Sequence, residues 1–320
     1  MFKAVDGCII ILVVAGAGIL LQTKVYGQIP QLHDVQLLDN QSLSTQSQKL
    51  VILNFDDTSV DQIRYVKPIL DRYGFKATFF PVCGWVKSQA GWEAIERLHS
   101  DGMDIQSHTM THPNLNTLST EQLEYEIGQS KQCLLRHGIN ASIFAYPYGA
   151  GTKNETVVNT IAKYYDLGRG ATYPTKCVYS ESGPECIPTE PSNTFANRYD
   201  VNSWVPTHIG GLYDYSTYTC ILDCEYYDNS QSFEQFIEVV NDQFNYDKDG
   251  PIKSIPIIVY HGFVSYKNIR ENKIPTDMSI SLFEKEMKYL HDNGFKVLTM
   301  GDLAFDAISN SLHIKEMPNG

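Results

Sequence analysis

Leu50-Val51-Ile52-Leu53-Asn54-Phe55-Asp56-Asp57-Thr58 is an apolar run that stops at two adjacent carboxylates. Four aliphatics in succession are too apolar for a strand with one wet face, and fit a strand buried on both faces of a parallel sheet. The two acids then stand at its C-terminal mouth. Adjacent like charges are unfavourable unless relieved, so Asp56 and Asp57 bind a cation, split their pKa values, or diverge into water with one capping the next helix.

Outward from this strand the chain alternates. Val60, Ile63, Val66 and Leu70 recur at helical spacing up to Gly74, a helix stop. A strand is expected over 77–82, a helix over 92–98 closed by Gly102, and a strand over 103–107. Ser119 and Gln122 form a capping box that opens a helix running to His137. Strand 143–146, helix 157–165 and strand 167–171 follow, and later helix 233–240, strand 255–260, helix 280–293 and strand 296–299. Repeated strand-helix units predict an α/β fold: a parallel sheet with helices outside, closing into a barrel. Between them, 173–230 is dense in Pro, Gly, Cys, Asn and Tyr, and reads as a pinned loop with a strand near 195–201.

The chain has 320 residues, 42% of them hydrophobic, and a formal net charge of -12 without a long basic run. That excludes a phosphate-binding surface, and with it nucleic acid as partner. Lys3 followed by an apolar run over 8–21, which is shorter than the roughly 20 residues of a membrane span, makes 1–27 a signal peptide or N-terminal anchor. Residues 28–48 read as a linker, 49–305 as the folded domain and 306–320 as a tail. The expected location is extracytoplasmic, secreted or attached to the membrane through the N-terminal segment. Oligomeric state is not legible. In an oxidising compartment Cys83, Cys133, Cys177, Cys186, Cys220 and Cys224 can form disulfides, and one or two are expected among the last four. A zinc site of those four thiolates is the competing reading.

Polar residues collect at strand C-termini: Asp56 and Asp57, His108 and His112, Tyr148, and His261. In a parallel barrel those ends share the face that carries active sites. His108 and His112 are four apart, one helical turn if the segment coils, and with a carboxylate they make a common set for Zn²⁺ or another first-row metal. An incidental pair is the alternative. The tyrosines of 173–227, with Trp204, form a saccharide-stacking wall or pack the loop onto the barrel.

The order Asn54-Phe55-Asp56-Asp57, Ser107-His108-Thr109-Met110-Thr111-His112, Tyr146-Pro147-Tyr148-Gly149 and Val259-Tyr260-His261 resembles the NodB-homology polysaccharide deacetylases of carbohydrate esterase family 4, over 49–303. The resemblance implies a distorted (β/α) barrel of about seven parallel strands. It implies Asp56 as general base, Asp57, His108 and His112 as ligands of Zn²⁺ or another divalent ion such as Co²⁺, and His261 as general acid. Tyr148, between Pro147 and Gly149, would meet the oxyanion with its backbone N–H. The substrate implied is an N-acetylated cell-surface or extracellular glycan. Two departures stand out. Ala145 occupies the place of an Arg that orients the base, leaving Arg169 or Arg198 to supply a cation from elsewhere. The acidic segment ending in Trp that orients the acid has only Asp200-Val201-Asn202-Ser203-Trp204 as a counterpart. These departures keep open a weak or silent carbohydrate-binding relative, or a hydrolase of a non-sugar amide or imide.

Overall fold

The apolar run forms β1 (Leu50–Asp57), and three other strands pair with it in parallel. These are β2 (Thr78–Pro81), β6 (Ile257–Tyr260) and β7 (Lys296–Leu298), and β2 in turn pairs with β3 (Asp104–Ile105). A second parallel pair, β4 (Ile143–Ala145) and β5 (Leu167–Arg169), stands beside them. Isolated parallel bridges at Ser107–Phe144, Arg169–Val201 and Trp204–Ile258 connect the two groups. Through these bridges, pairing can be followed from β1 to β3, on to β4 and β5, and by way of residues 201–204 to β6 and β1. The computed structural model describes residues 48–171, 178–180, 183–185, 198–206, 212–214, 219–222, 227–246, 255–264, 276–306 and 311–315, all within the unit Thr45–Gly320.

Strand alternation sorts β1 into two cores. Val51, Leu53 and Phe55 join an outer core with Val66, Leu70, Leu134, Phe236, Phe283 and Leu290 from the helices. Leu50 and Ile52 face an inner core with Phe80, Ile143, Leu167, Ile257 and Leu298. The helices are α1 (Lys67–Tyr73), α2 (Gln89–Ser100), α3 (Thr120–Leu123), α4 (Gln129–Arg136), α5 (Glu155–Ile161), α6 (Asn229–Tyr246) and α7 (Ile280–Asp292). Gly74 closes α1 at φ +69°, a conformation costly for any residue with a Cβ. The capping box at Ser119 and Gln122 is present. The single helix expected from 119 to 137 is instead interrupted by a wide π turn at Glu124–Gly128, an irregularity that turns out to serve the site.

Cys83 and Cys133 form a disulfide that ties the loop after β2 to α4. Closing a loop over a separation of 50 residues stabilises the fold by about 4 kcal/mol in the chain-entropy picture. The bridges or zinc site expected among Cys177, Cys186, Cys220 and Cys224 fall on side chains outside the described residues, as do the N-terminal segment and most of the tyrosine-rich loop. The region read as a tail from 306 is structured in part, because Ser311–Ile314 pairs antiparallel with Leu303–Asp306. Among the described residues, no helix is long and apolar enough to cross a membrane.

Glu286 of α7 is fully buried, and the Tyr260 hydroxyl donates to it at 2.8 Å. Burial pushes its carboxyl up from 4.5 to about 8, with the Tyr260 hydrogen bond opposing. Between those pH values the folded chain holds a proton that the unfolded chain has released, so folding stability falls as pH rises through the window. Glu286→Gln should remove that part of the pH dependence. Chemical denaturation should give equal stabilities for parent and variant near pH 4.5, and at pH 8.5 a variant more stable by on the order of 4 kcal/mol.

Candidate active site

Along an undistorted strand Asp56 and Asp57 would point to opposite faces. Asp57 and Thr58 instead adopt left-handed φ values of +69° and +45°, which turn the chain sharply at the strand end. Both carboxylates thereby reach the mouth of the ring, Asp56 buried and Asp57 partly exposed.

His108 and His112 reach the same mouth without a helix. The segment is a loop in which Thr109 (φ +69°) and His112 (φ +63°) are left-handed, so it does not coil into the helical turn that the four-residue spacing would allow. Its shape is held from outside. The Glu126 carboxylate, presented by the π turn, accepts from Met110 N (2.9 Å), Thr111 N (2.8 Å) and Thr111 Oγ1 (2.6 Å). Cys83 N and Gly84 N donate to Thr109 O and Met110 O, and a Cβ on Gly84 would stand only 2.4 Å from that Met110 oxygen. His108 Nδ1 lies 2.9 Å from Ala145 O. A carbonyl only accepts, so Nδ1 carries the proton and the Nε2 lone pair faces the mouth.

The Asp57, His108 and His112 donor atoms lie within 4.8 Å of one another, the cluster of metal-ligand type found among the described residues. His112 Nε2 and His108 Nε2 are 3.6 and 3.8 Å from Asp57 Oδ1. Asp57 Oδ1 and His108 Nε2 are buried without a hydrogen-bond partner among the described residues. One carboxylate and two neutral imidazoles with inward lone pairs fit a divalent first-row ion. Electrostatics agree. Burial and then the neighbouring Asp56 charge push the Asp57 carboxyl up to about 7, a cost that a cation would relieve and that its contact with solvent moderates. Burial likewise lowers His108 to about 4 and His112 to about 3, which keeps both imidazoles neutral and able to ligate.

Asp56 faces different company. Its Oδ2 is 3.7 Å from His261 Nε2 and 3.7 Å from His108 Nε2, while Oδ1 pairs with the fully buried Arg169 guanidinium. Burial alone would raise the Asp56 carboxyl, but Arg169, with His108 and His261 behind it, outweighs it and holds the group well below the usual range. In the β4–β5 register Ala145 pairs with Arg169, so the cation missing from one strand is supplied by its neighbour. Arg198 does not take this role: it lies over the rings of Tyr199 (4.8 Å) and Phe305 (4.9 Å). Burial depresses His261, and its Nδ1 has no hydrogen-bond partner among the described residues.

Tyr148 (φ +58°), between buried Pro147 and Gly149 (φ +64°), sets its ring edge-on to His112 at 4.7 Å. Trp204 is stitched by its backbone to β6, donating to Ile257 O and accepting from Val259 N, and its half-buried side chain packs on the outer core. Three residues were not anticipated. Trp85, half exposed, sets its ring 5.4 Å from His112. Glu126 carries no local signal, since its role depends on the π turn. Gln62, buried beside Asp56, could have been noticed from Ser59-x-x-Gln62, a capping-box spacing.

Comparison with known proteins finds similarity over the part of the chain that carries the Asp/His/His cluster. Residues 44–167 match the model of the polysaccharide deacetylase family, in agreement with the resemblance that the motifs carry. The chain is 34% identical over 128 residues to a chitooligosaccharide deacetylase of Azorhizobium caulinodans, covering 37% of this chain and 57% of that one. It is 30% identical over 125 residues to the polysaccharide deacetylase homologue YxkH of Bacillus subtilis, covering 38% and 44%. The chain thus spans about half the length of these curated relatives. The Xyl-CE4 domain of a multidomain xylanase from the hindgut metagenome of Trinervitermes trinervoides aligns with 79% of this chain and 88% of its own, at 19% identity and a TM-score of 0.48.

Removing one partner of a buried ion pair strands the other charge, at a cost of about 3–5 kcal/mol. Arg169→Met should show that loss in chemical denaturation at pH 7, and Asp56→Asn added to it should recover most of the difference. Simple additivity of the two changes would mean that the pair is not coupled.

Proposed function

We propose that this protein is a metal-dependent hydrolase that removes N-acetyl groups from an N-acetylated extracellular glycan. The observation that carries the reading is the convergence of Asp57, His108 and His112 beside a separately buried Asp56 and His261. Two acids adjacent in sequence stand in opposite electrostatic environments, one held ionised by Arg169 and one suited to a cation, which is how one site divides proton transfer from metal binding. Asp57, His108 and His112 would hold the ion, Zn²⁺ or a similar metal such as Co²⁺. When bound, such an ion polarises the acetyl carbonyl and lowers the pKa of water.

The remaining work falls to side chains and backbone. Asp56, ionised across neutral pH, takes the proton of the attacking water at Oδ2. Arg169 fixes the carboxylate's other oxygen, so the accepting lone pair stays aimed at the mouth. The backbone N–H of Tyr148, in its left-handed turn, meets the oxyanion. His261, 3.7 Å from Asp56, hands a proton to the leaving nitrogen, without which an amine departs poorly. Half-exposed Trp85, beside His112, offers a ring face on which a sugar can stack, whereas the Trp204 side chain packs on the outer core.

An extracytoplasmic location accords with this reading: the Cys83–Cys133 disulfide suits an oxidising compartment, and the apolar segment 8–21 suits export. A weak or silent carbohydrate-binding relative was suggested by Ala145 and by the lack of a clear acidic segment ending in Trp, and the Arg169–Asp56 pair answers the first of these departures. The lone Nδ1 of His261 still favours turnover slower than in a site where that nitrogen is paired.

The test is acetate release from an N-acetylated chito-oligosaccharide by metal-stripped protein reloaded with Zn²⁺ or Co²⁺. Asp56→Asn should lose about 10²–10⁴-fold in kcat while binding the ion as tightly as the parent. Asp57→Asn, His108→Ala and His112→Ala should each weaken ion binding in calorimetry by more than the roughly 10–100-fold that outer partners cost. Ion binding without acetate release by the parent would favour the silent relative, and release only from non-sugar amides would reassign the substrate. His261 acts in its protonated form, so the rate should fall as pH rises through its pKa, and His261→Ala should abolish that alkaline limb. An unchanged profile in the variant would assign the acid to another group.

A further inference from the structure

We propose that Gln62 is a positioning residue that sets the spacing between Asp56 and His261, an inference that rests on the roles proposed for those two side chains. Gln62 is fully buried at the start of the π turn Gln62–Val66. Its Nε2 donates to the backbone carbonyl of Asp56 at 2.6 Å and to that of His261 at 2.7 Å. The parallel β1–β6 ladder runs in register from Ile52–Ile257 to Phe55–Tyr260 and ends there. The next pair in that register is Asp56 and His261. Backbone pairing therefore stops one step short of the two residues whose separation matters most, and a side-chain amide continues it.

The chemistry of the amide makes the clamp specific. A primary amide has two N–H donors, and each of the two carbonyls takes one. Its oxygen accepts from Ser59 N at 3.2 Å, and Ser59 Oγ accepts from Gln62 N at 3.3 Å. Every polar atom of the side chain is thus committed, and a flipped amide would set oxygen against two carbonyl oxygens. None of the three proposed ion ligands takes part. His108 and His112 hang from the loop that Glu126 holds, and Asp57 from the left-handed turn that follows the clamped Asp56 carbonyl, so the clamp bears first on the Asp56–His261 spacing.

Gln62→Met keeps the volume and removes both donors. In the Zn²⁺-loaded full-length chain, its imidazole ¹⁵N signals for His261, assigned by comparison with His261→Ala, should move from those of the parent. Acetate release should show a kcat about 10–100-fold lower at unchanged KM, the scale of a misplacement near 1 Å, with Zn²⁺ affinity held within about twofold. Gln62→Asn, one methylene shorter, reaches at most one carbonyl and should fall between the two; it carries the test if the Met variant does not fold. Unchanged His261 signals and kcat would overturn the proposal. So would a kcat that falls only in step with Zn²⁺ affinity or folded fraction, the mark of a merely structural residue. A parent that binds Zn²⁺ and releases no acetate sinks the deacetylase reading alone, and the His261 signals then decide the clamp by themselves.

Discussion

A strand buried on both faces cannot end in two carboxylates unless something positive meets each of them. That constraint organises the site. Asp56, at the inner end of β1, is met by Arg169 from β5, and the pair is sealed from water on both sides. Asp57, one residue later, has no such partner and turns to two imidazoles whose lone pairs face it. Desolvation acts on both acids with the same sign, and the neighbouring charges then separate them. The barrel-like arrangement of parallel strands matters because it delivers Arg169, His108 and His261 to one end from three distant parts of the chain.

The loops around the mouth are held more firmly than their irregular backbone suggests. Left-handed residues at Asp57, Thr58, Thr109, His112 and Tyr148 each cost free energy, and they persist because the surroundings over-determine them. Glu126 fills three donors of the histidine loop, Cys83 and Gly84 pair with its carbonyls, and the disulfide to Cys133 anchors that pairing to α4. Gln62 does the same for the ends of β1 and β6. Rigid loops of this kind hold the Asp57, His108 and His112 donor atoms beside the Asp56 carboxylate, which is the structural meaning of preorganisation.

Much of this was legible in the chain itself, for particular reasons. Leu50 to Leu53 could only be a two-face-buried strand, and the strand-helix alternation after it left few topologies. The polar residues at strand ends named Asp56, Asp57, His108, His112, Tyr148 and His261 before any coordinates, because a parallel ring gathers such ends on one face. Whether the His pair sits on a helical turn was left open by the spacing, which does not distinguish a helix from a loop with two left-handed residues. The helix expected to run unbroken past Glu124 failed, because a π turn leaves no periodic trace in a short window.

The sequence by itself determined the parallel α/β architecture, the strand that carries the acids and the set of residues able to bind a metal, because burial pattern and residue type are local properties. Only the tertiary structure decided that Arg169 rather than Arg198 meets Asp56, that Ala145 O fixes the His108 tautomer, and that Gln62 joins Asp56 to His261. Each of those contacts links residues from separate strands or loops. Such pairings depend on register and on which side chain fits the remaining space, and neither quantity is written in the order of residues along one segment.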